Sequence, residues 1–115
     1  MARVDYRLAL ADDRSKVRLE TVVDGEVKAW ADVEAPELDG LIHLLVSARM
    51  QLADEVPHEL EPGSRLPAIV DPAWRMPPNQ PNDRRLLALR HPGLGWNQFE
   101  FPIHEAKEIA KRWTA

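Results

Sequence analysis

Four histidines are the side chains of this 115-residue chain best suited to acid–base chemistry or metal binding. They are His43, His58, His91 and His104. No two of them stand at the short spacing with which a helix or turn presents paired ligands, and no carboxylate stands at a recognised ligand spacing. We therefore expect no metal site. His91 differs from the others because it precedes Pro92 at the end of a predicted strand, so any enzymatic site would be centred on His91.

Nucleophilic and cofactor chemistry finds little support in the sequence. Ser15, Ser47 and Ser64 fall in a turn, on the polar stripe of a helix and in a proline-rich loop, without the strand-to-helix elbow of a hydrolase. The absence of cysteine excludes thiolate catalysis, disulfides and iron–sulfur clusters. The glycines at 93 and 95 lead from one strand to the next, whereas phosphate loops lead into a helix. We expect no catalytic residue and no cofactor.

Arginine and tryptophan supply a different chemistry, that of binding surfaces. Residues 65–90 hold five arginines and one tryptophan, and a further tryptophan follows: Arg65, Arg75, Arg84, Arg85, Arg90, Trp74 and Trp96. Such side chains can contact phosphates and stack on bases, which makes nucleic-acid binding one alternative. The net charge of −4 and the isoelectric point near 5.5 argue against it, because dedicated nucleic-acid modules are usually basic.

The favoured hypothesis is a non-enzymatic module that binds a protein partner or a second copy of itself, because tryptophan and arginine dominate the energetic centres of protein interfaces. The candidate contact residues are Trp30, Trp74, Arg75, Arg84, Arg85, His91 and Trp96. Trp30 lies on an otherwise charged strand face. Its ring either anchors a partner or stacks on Arg18 of the neighbouring strand.

Alternating apolar residues predict the strands of the first half. Val4, Tyr6, Leu8 and Leu10 share one side of a strand, and residues 17–21 and 27–33 continue the alternation to form a three-stranded meander. Side-chain parity favours a three-residue loop at 23–25, with Gly25 in a left-handed bulge position. This loop would place Trp30 opposite Arg18.

A helix follows, with Pro36 at its first position and apolar residues at 38, 41, 42, 45, 48 and 52. Gly40 lowers its intrinsic stability. Val46 and Met50 widen the apolar sector beyond what one sheet face would cover. Either the second helix or a second copy of the chain could cover the remainder, which is our main reason to consider a homodimer.

Residues 56–83 carry seven of the ten prolines and are predicted as loop, with a short strand at about 67–75 and a mobile tip near 77–83. Strands at 86–90 and 96–101 and a helix from 103 complete the chain. The predicted fold is a single α+β domain over residues 1–115, ordered β-β-β-α-β-β-β-α, with an antiparallel sheet of about six strands and two helices packed on one face.

The predicted core of this domain is apolar and drawn from every element. It comprises Val4, Tyr6, Leu8, Leu10, Val17, Leu19, Val27, Leu41, Leu45, Leu52, Leu87, Leu89, Phe99, Phe101 and Ile109. The composition, 44% hydrophobic and 30% charged, is that of a globular protein. No apolar run reaches the roughly 18 residues of a membrane helix, so we expect a soluble cytoplasmic protein without a membrane partner.

Overall fold

A computed structural model of the chain describes residues 1–115 and contains six strands and two helices. In chain order they are β1 (Val4–Leu10), β2 (Val17–Val23), β3 (Glu26–Val33), α1 (Ala35–Gln51), β4 (Trp74–Arg75), β5 (Arg84–His91), β6 (Gly95–Pro102) and α2 (Ile103–Trp113). The predicted α+β class and the predicted order of elements are confirmed. Neither helix has the length and apolar content needed to cross a membrane.

The strands form two separate sheets, so the prediction of one six-stranded sheet is wrong. The chain divides into two compact units, Met1–Glu59 and Leu60–Ala115, each with three antiparallel strands followed by a helix. The sheet orders are β1-β2-β3 and β4-β5-β6. Each ladder joins strands that short turns or loops connect. The segment between α1 and β4 contains four prolines, and a residue without a backbone N–H interrupts the hydrogen bonding of a strand. The single domain stays a prediction.

The two helices consequently do not cover one common sheet. Within the first unit α1 contacts β3, and within the second unit α2 contacts β5 and β6. The backbone N–H of Glu34 donates a 2.8 Å hydrogen bond to Glu37 Oε2 at the start of α1, where Pro36 occupies the first turn. The helix begins at Ala35, one residue before the predicted start at Pro36, and the contact between Glu34 and Glu37 was not predicted.

The turn between β2 and β3 differs from the prediction. Asp24 and Gly25 form a two-residue turn with φ of 49° and 84°, and Val23 lies opposite Glu26. This is the I′-like geometry that matches the twist of a hairpin. A bulge between Thr21 and Val22 then corrects the parity inside the strands. From Ala29 onward the apolar and charged faces are as predicted, because the bulge does what the predicted three-residue loop would have done. Next to the turn the faces are exchanged, since Val27 lies opposite Val22 and Glu26 lies opposite Val23.

The proline-rich segment of the second unit is more strongly anchored than its composition suggests. The predicted strand at 67–75 is reduced to Trp74 and Arg75. Beyond the end of β4, the Gln80 side chain accepts a 2.7 Å hydrogen bond from Leu86 N and donates one of 3.3 Å to Leu86 O. The Gln80 side chain therefore takes the place of a neighbouring strand at Leu86 of β5. Gln80 lies within residues 77–83, the segment that was predicted to be a mobile tip.

Burial is the largest departure from the prediction. The one fully buried apolar side chain is Val22, 1% exposed, which was not in the predicted core. Six predicted core residues are half-buried: Val17, Leu19, Leu41, Leu87, Leu89 and Phe101. Nine are exposed: Val4, Tyr6, Leu8, Leu10, Val27, Leu45, Leu52, Phe99 and Ile109. A three-stranded sheet with one helix has too few elements to enclose a core, so each unit leaves apolar side chains in solvent.

Candidate functional site

One side of β1, which we call the β1 face, is an exposed apolar surface of the first unit. It consists of Val4, Tyr6, Leu8 and Leu10, and Tyr6 and Leu8 are 69% and 67% exposed. Opposite them on β2 lie Val23, Thr21, Leu19 and Val17. Contiguous exposed apolar surface of this kind is typical of interaction sites.

The edge of β1 is open as well. Asp24 N donates to Arg3 O, and Ala11 N donates to Lys16 O, at 2.9 and 3.0 Å. Because antiparallel pairing alternates, the odd-numbered residues of β1 direct their N–H and C=O groups toward β2. The even-numbered residues of the β1 face direct theirs toward the free edge, where no strand pairs with them.

Trp30 lies on the other side of the first sheet, among charged residues. Its direct partner is Glu20 and not Arg18 as predicted, since Arg18 lies opposite Asp32. Arg18 nevertheless reaches diagonally over the ring, with its guanidinium carbon 4.1 Å from the ring centroid. The predicted stacking is confirmed, and the ring remains 58% exposed.

Arg18 also pairs with Asp32, with 3.2 Å between Nε and Oδ1, and Lys16 Nζ lies 3.7 Å from Asp32 Oδ2. The hydrogen bond from Arg18, with its positive charge and that of Lys16, lowers the pKa of Asp32 below 3.8. Arg18 thus joins Trp30 and Asp32 in one cluster on the charged face.

The second sheet separates the remaining candidates into two groups. Trp74 lies opposite Leu89, and Arg85 lies opposite Phe101, so both belong to the apolar side of the sheet. The other side carries Arg75, Arg84, Arg90 and Trp96, since Arg75 pairs with Ala88 and Arg90 pairs with Trp96. The expectation that Trp74 and Trp96 form one contact surface is wrong, because successive side chains of a strand point to opposite faces.

The apolar side of the second sheet forms a groove beside α2. Two adjoining cavities of about 550 and 540 Å³ share Met76, Leu87 and Trp113. Trp113 is 80% exposed. Sequence reasoning missed Met76 and Trp113 as surface residues.

The arginines are used in different ways. Arg84 Nε makes a 2.9 Å ion pair with Glu100 Oε2. Arg85 donates to the carbonyl oxygens of Pro81 and Arg84 at 2.9 and 2.7 Å. Neither Arg75 nor Arg90 forms an ion pair, and Arg65 lies in the loop outside the sheet. Arg75 and Arg90 are therefore the cations left available beside Trp96, which is 55% exposed.

His91 fastens the turn between β5 and β6. Its Nδ1 accepts hydrogen bonds from the N–H groups of Gly93 and Leu94 at 2.9 and 3.0 Å. The cavity beside it is lined by apolar residues with Arg90 and Asn97, and no carboxylate is among them. The imidazole nitrogen that would act as a base is occupied by the backbone, so this arrangement gives His91 a structural role.

Other chemistry-bearing residues are not brought together. Ser15 Oγ donates a 2.6 Å hydrogen bond to Asp13 Oδ1 within its own turn, and the same turn lowers the pKa of Asp13. No group of three or more His, Asp or Glu side chains is placed to hold a metal ion. The exposed apolar faces and the Trp96 side of the second sheet are thus the surfaces on which a function can be argued.

No protein-family model matches this chain, and no curated protein and no solved structure matches it.

Proposed function

We propose that the chain is a non-enzymatic module that associates with a second copy of itself. The observation that supports this is its accessible surface, 10456 Å² for a mass of 13.1 kDa. A folded monomer of this mass exposes about 6,400 Å². Two separate globules of half the mass would together expose about 7,700 Å². The chain exposes about 2,800 Å² more than two separate globules of this size would.

This excess is slightly larger than the area that permanent association buries from each chain. Obligate homodimers bury about 2,000 to 5,000 Å² in total, or about 1,000 to 2,500 Å² from each chain. Exposed apolar side chains lie on the β1 face, on the second half of α1, around Trp113 and along the proline-rich segment. Those of α1 are Leu44, Leu45, Val46 and Met50. Burial of such patches is the main driving force of association.

A second copy suits these surfaces better than a small ligand does. The β1 face lies on a sheet, whereas ligand sites are concave and enclose most of the ligand. An apolar strand face is also self-complementary, and a two-fold axis presents the same patch on both subunits. The same residues therefore supply both halves of the interface.

Light scattering across a concentration series tests the proposal. We expect wild type at twice 13.1 kDa and Leu8→Lys at 13.1 kDa, because a charge in the β1 face must lose water on association. Gln98→Lys is the matched control, since it adds the same charge to an exposed strand position outside the apolar faces. Circular dichroism verifies that both variants are folded. A wild-type mass of 13.1 kDa at every concentration would overturn the proposal.

A second candidate function, binding of single-stranded nucleic acid, is favoured by one observation. Arg75, Arg90 and Trp96 lie on the same side of the second sheet, and neither arginine is ion-paired. A base stacked on Trp96 would place its phosphates near these guanidinium groups. The test is fluorescence anisotropy with a labelled single-stranded oligonucleotide at low and high salt.

For nucleic-acid binding we expect Arg75→Ala and Arg90→Ala to weaken the complex and to flatten its salt dependence, while Arg85→Ala changes little. Arg85 is the matched control because it lies on the apolar side and donates to backbone carbonyls. Absence of binding by wild type at low salt would rule out this second candidate.

A further inference from the structure

The free edge of β1 can accept another strand. Four residues, Val4, Tyr6, Leu8 and Leu10, direct their backbone groups outward, and β1 pairs only with β2. An edge of this length without proline or a bulge is a template for strand addition, which supplies both backbone hydrogen bonds and contact between side chains.

The charges of β1 distinguish among the ways in which two copies of this strand can pair antiparallel. In a two-fold pairing of this kind, the central residue of β1 lies opposite the same residue of the second copy. At least five residues of each strand overlap when the centre is Tyr6, Arg7 or Leu8. Centring on Arg7 places it opposite Arg7 of the second copy, and like charges directly opposite are destabilising. Centring on Leu8 places Arg7 opposite Ala9 and leaves the charges unmatched.

Centring on Tyr6 satisfies both sides of the strand. Asp5 then lies opposite Arg7 of the second copy, and the two-fold axis repeats this contact. On the β1 face, Val4 lies opposite Leu8 and the two tyrosines adjoin. Arg7 takes part in none of the ion pairs within the chain, so its guanidinium is available. Asp5 pairs with Arg3 at 3.2 Å, but that contact is exposed and weakly held.

We infer that the second copy docks along the β1 edge, antiparallel and centred on Tyr6, so that two first sheets join into one sheet of six strands. The inference rests on the proposed self-association and adds the contact that brings the two chains together. Tyr6 of each copy exchanges backbone hydrogen bonds with the other, and so do Val4 and Leu8. Val4, Tyr6 and Leu8 of each β1 face are then covered in part by the same residues of the second copy.

Charge reversal tests the register. Asp5→Arg and Arg7→Asp each create two like-charge contacts across the axis, and we expect each to weaken the dimer about tenfold or more in light scattering or sedimentation. The double variant Asp5→Arg/Arg7→Asp restores both opposite-charge contacts and should recover the wild-type dissociation constant. This recovery separates contact across the axis from any effect of the single changes on folding.

Cysteine cross-linking gives a second readout, because the natural chain has no cysteine. Residues opposite each other in a hydrogen-bonded pair have Cα atoms about 5.5 Å apart, within the range that a disulfide spans. Tyr6→Cys should therefore form a covalent dimer under mild oxidation. Leu8→Cys is the matched control, since Leu8 would lie more than about 13 Å from its own symmetry mate in this register.

The outcomes distinguish failure of the strand pairing along β1 from failure of self-association itself. A monomeric wild type would overturn self-association itself and the strand pairing with it. A dimeric wild type that tolerates both charge reversals would overturn the strand pairing and leave self-association standing. Efficient cross-linking of Leu8→Cys but not of Tyr6→Cys would likewise overturn the register centred on Tyr6.

Discussion

The guanidinium carbon of Arg18 lies 4.1 Å from the ring centroid of Trp30, although neither residue lies directly opposite the other in the ladder. The contact is diagonal across β2 and β3, and Arg18 at the same time bonds Asp32. A large ring on a solvated face is thereby covered on one side by residues of its own sheet. This gives Trp30 a structural role that does not require a partner.

We expect Arg18 and Trp30 to be coupled energetically. In a double-mutant cycle with Arg18→Ala and Trp30→Ala, the coupling free energy from urea denaturation should be about 0.5 to 1 kcal/mol, as for exposed cation–π contacts. The mass of Trp30→Ala in solution should equal that of wild type. Zero coupling would contradict the stacking, and loss of the dimer in Trp30→Ala would instead place the ring in the self-association surface.

Asp32 should make stability depend on acid pH. Its pKa is lowered in the folded chain, chiefly by the hydrogen bond from Arg18, so the unfolded chain takes up this proton first as pH falls. The contribution of Asp32 is therefore fully present above pH 3.8, its ordinary value, and is lost as pH falls through the lowered pKa. Denaturation of wild type and Asp32→Asn at a series of acid pH values measures it.

Carboxyl titration by nuclear magnetic resonance provides the control. In Arg18→Ala we expect the pKa of Asp32 to rise toward 3.8, since the largest cause of its lowering is removed. The pKa of Asp13 should not move, because hydrogen bonds from Ser15 lower it. An unchanged Asp32 titration in Arg18→Ala would contradict the assigned cause.

Replacement of two glycines of the first unit by alanine should change the free energy of unfolding in opposite directions. Gly40 lies inside α1 in helical backbone with no atom within 4 Å of an added Cβ, so Gly40→Ala should raise the free energy of unfolding by up to about 1 kcal/mol. Gly25 also has open space, but its φ of 84° is strained for alanine. Gly25→Ala should lower stability by about 1 kcal/mol. Thermal denaturation distinguishes them, and a shift of equal sign would contradict the turn geometry.

Local pattern was sufficient to predict the elements and their faces. Alternation along residues 4–10 identified β1 and its apolar side, and Pro36 identified the start of α1. The contact between Arg18 and Trp30 could also be predicted from the sequence, because a strand face brings long side chains within reach of their diagonal neighbours. Each of these inferences depends on a few neighbouring residues.

Longer-range relations could not be read from the sequence. Alternation shows which side of β1 is apolar, but not whether anything covers it, so Tyr6 and Leu8 were wrongly placed in a core. The face of Trp74 depends on its pairing with Leu89, and that pairing depends on where the proline-rich segment meets β5. The Asp24–Gly25 turn was misjudged because a bulge elsewhere in the hairpin compensated for its parity.

His91 should control the order of the turn that follows β5. Its Nδ1 accepts two backbone hydrogen bonds, so His91→Ala leaves the N–H groups of Gly93 and Leu94 without a partner. The two hydrogen bonds contribute about 1 kcal/mol or slightly more of net stabilisation. We therefore expect the exchange of these two amide protons with solvent to become about tenfold faster when they are lost. His91→Asn should retain part of the protection, because an asparagine side chain can accept from an N–H two residues onward. Exchange at Ala11 N, which donates to Lys16 O in the first unit, is the internal control. Unchanged exchange at Gly93 and Leu94 in His91→Ala would show that the turn holds without the imidazole. It would contradict the structural role assigned to His91.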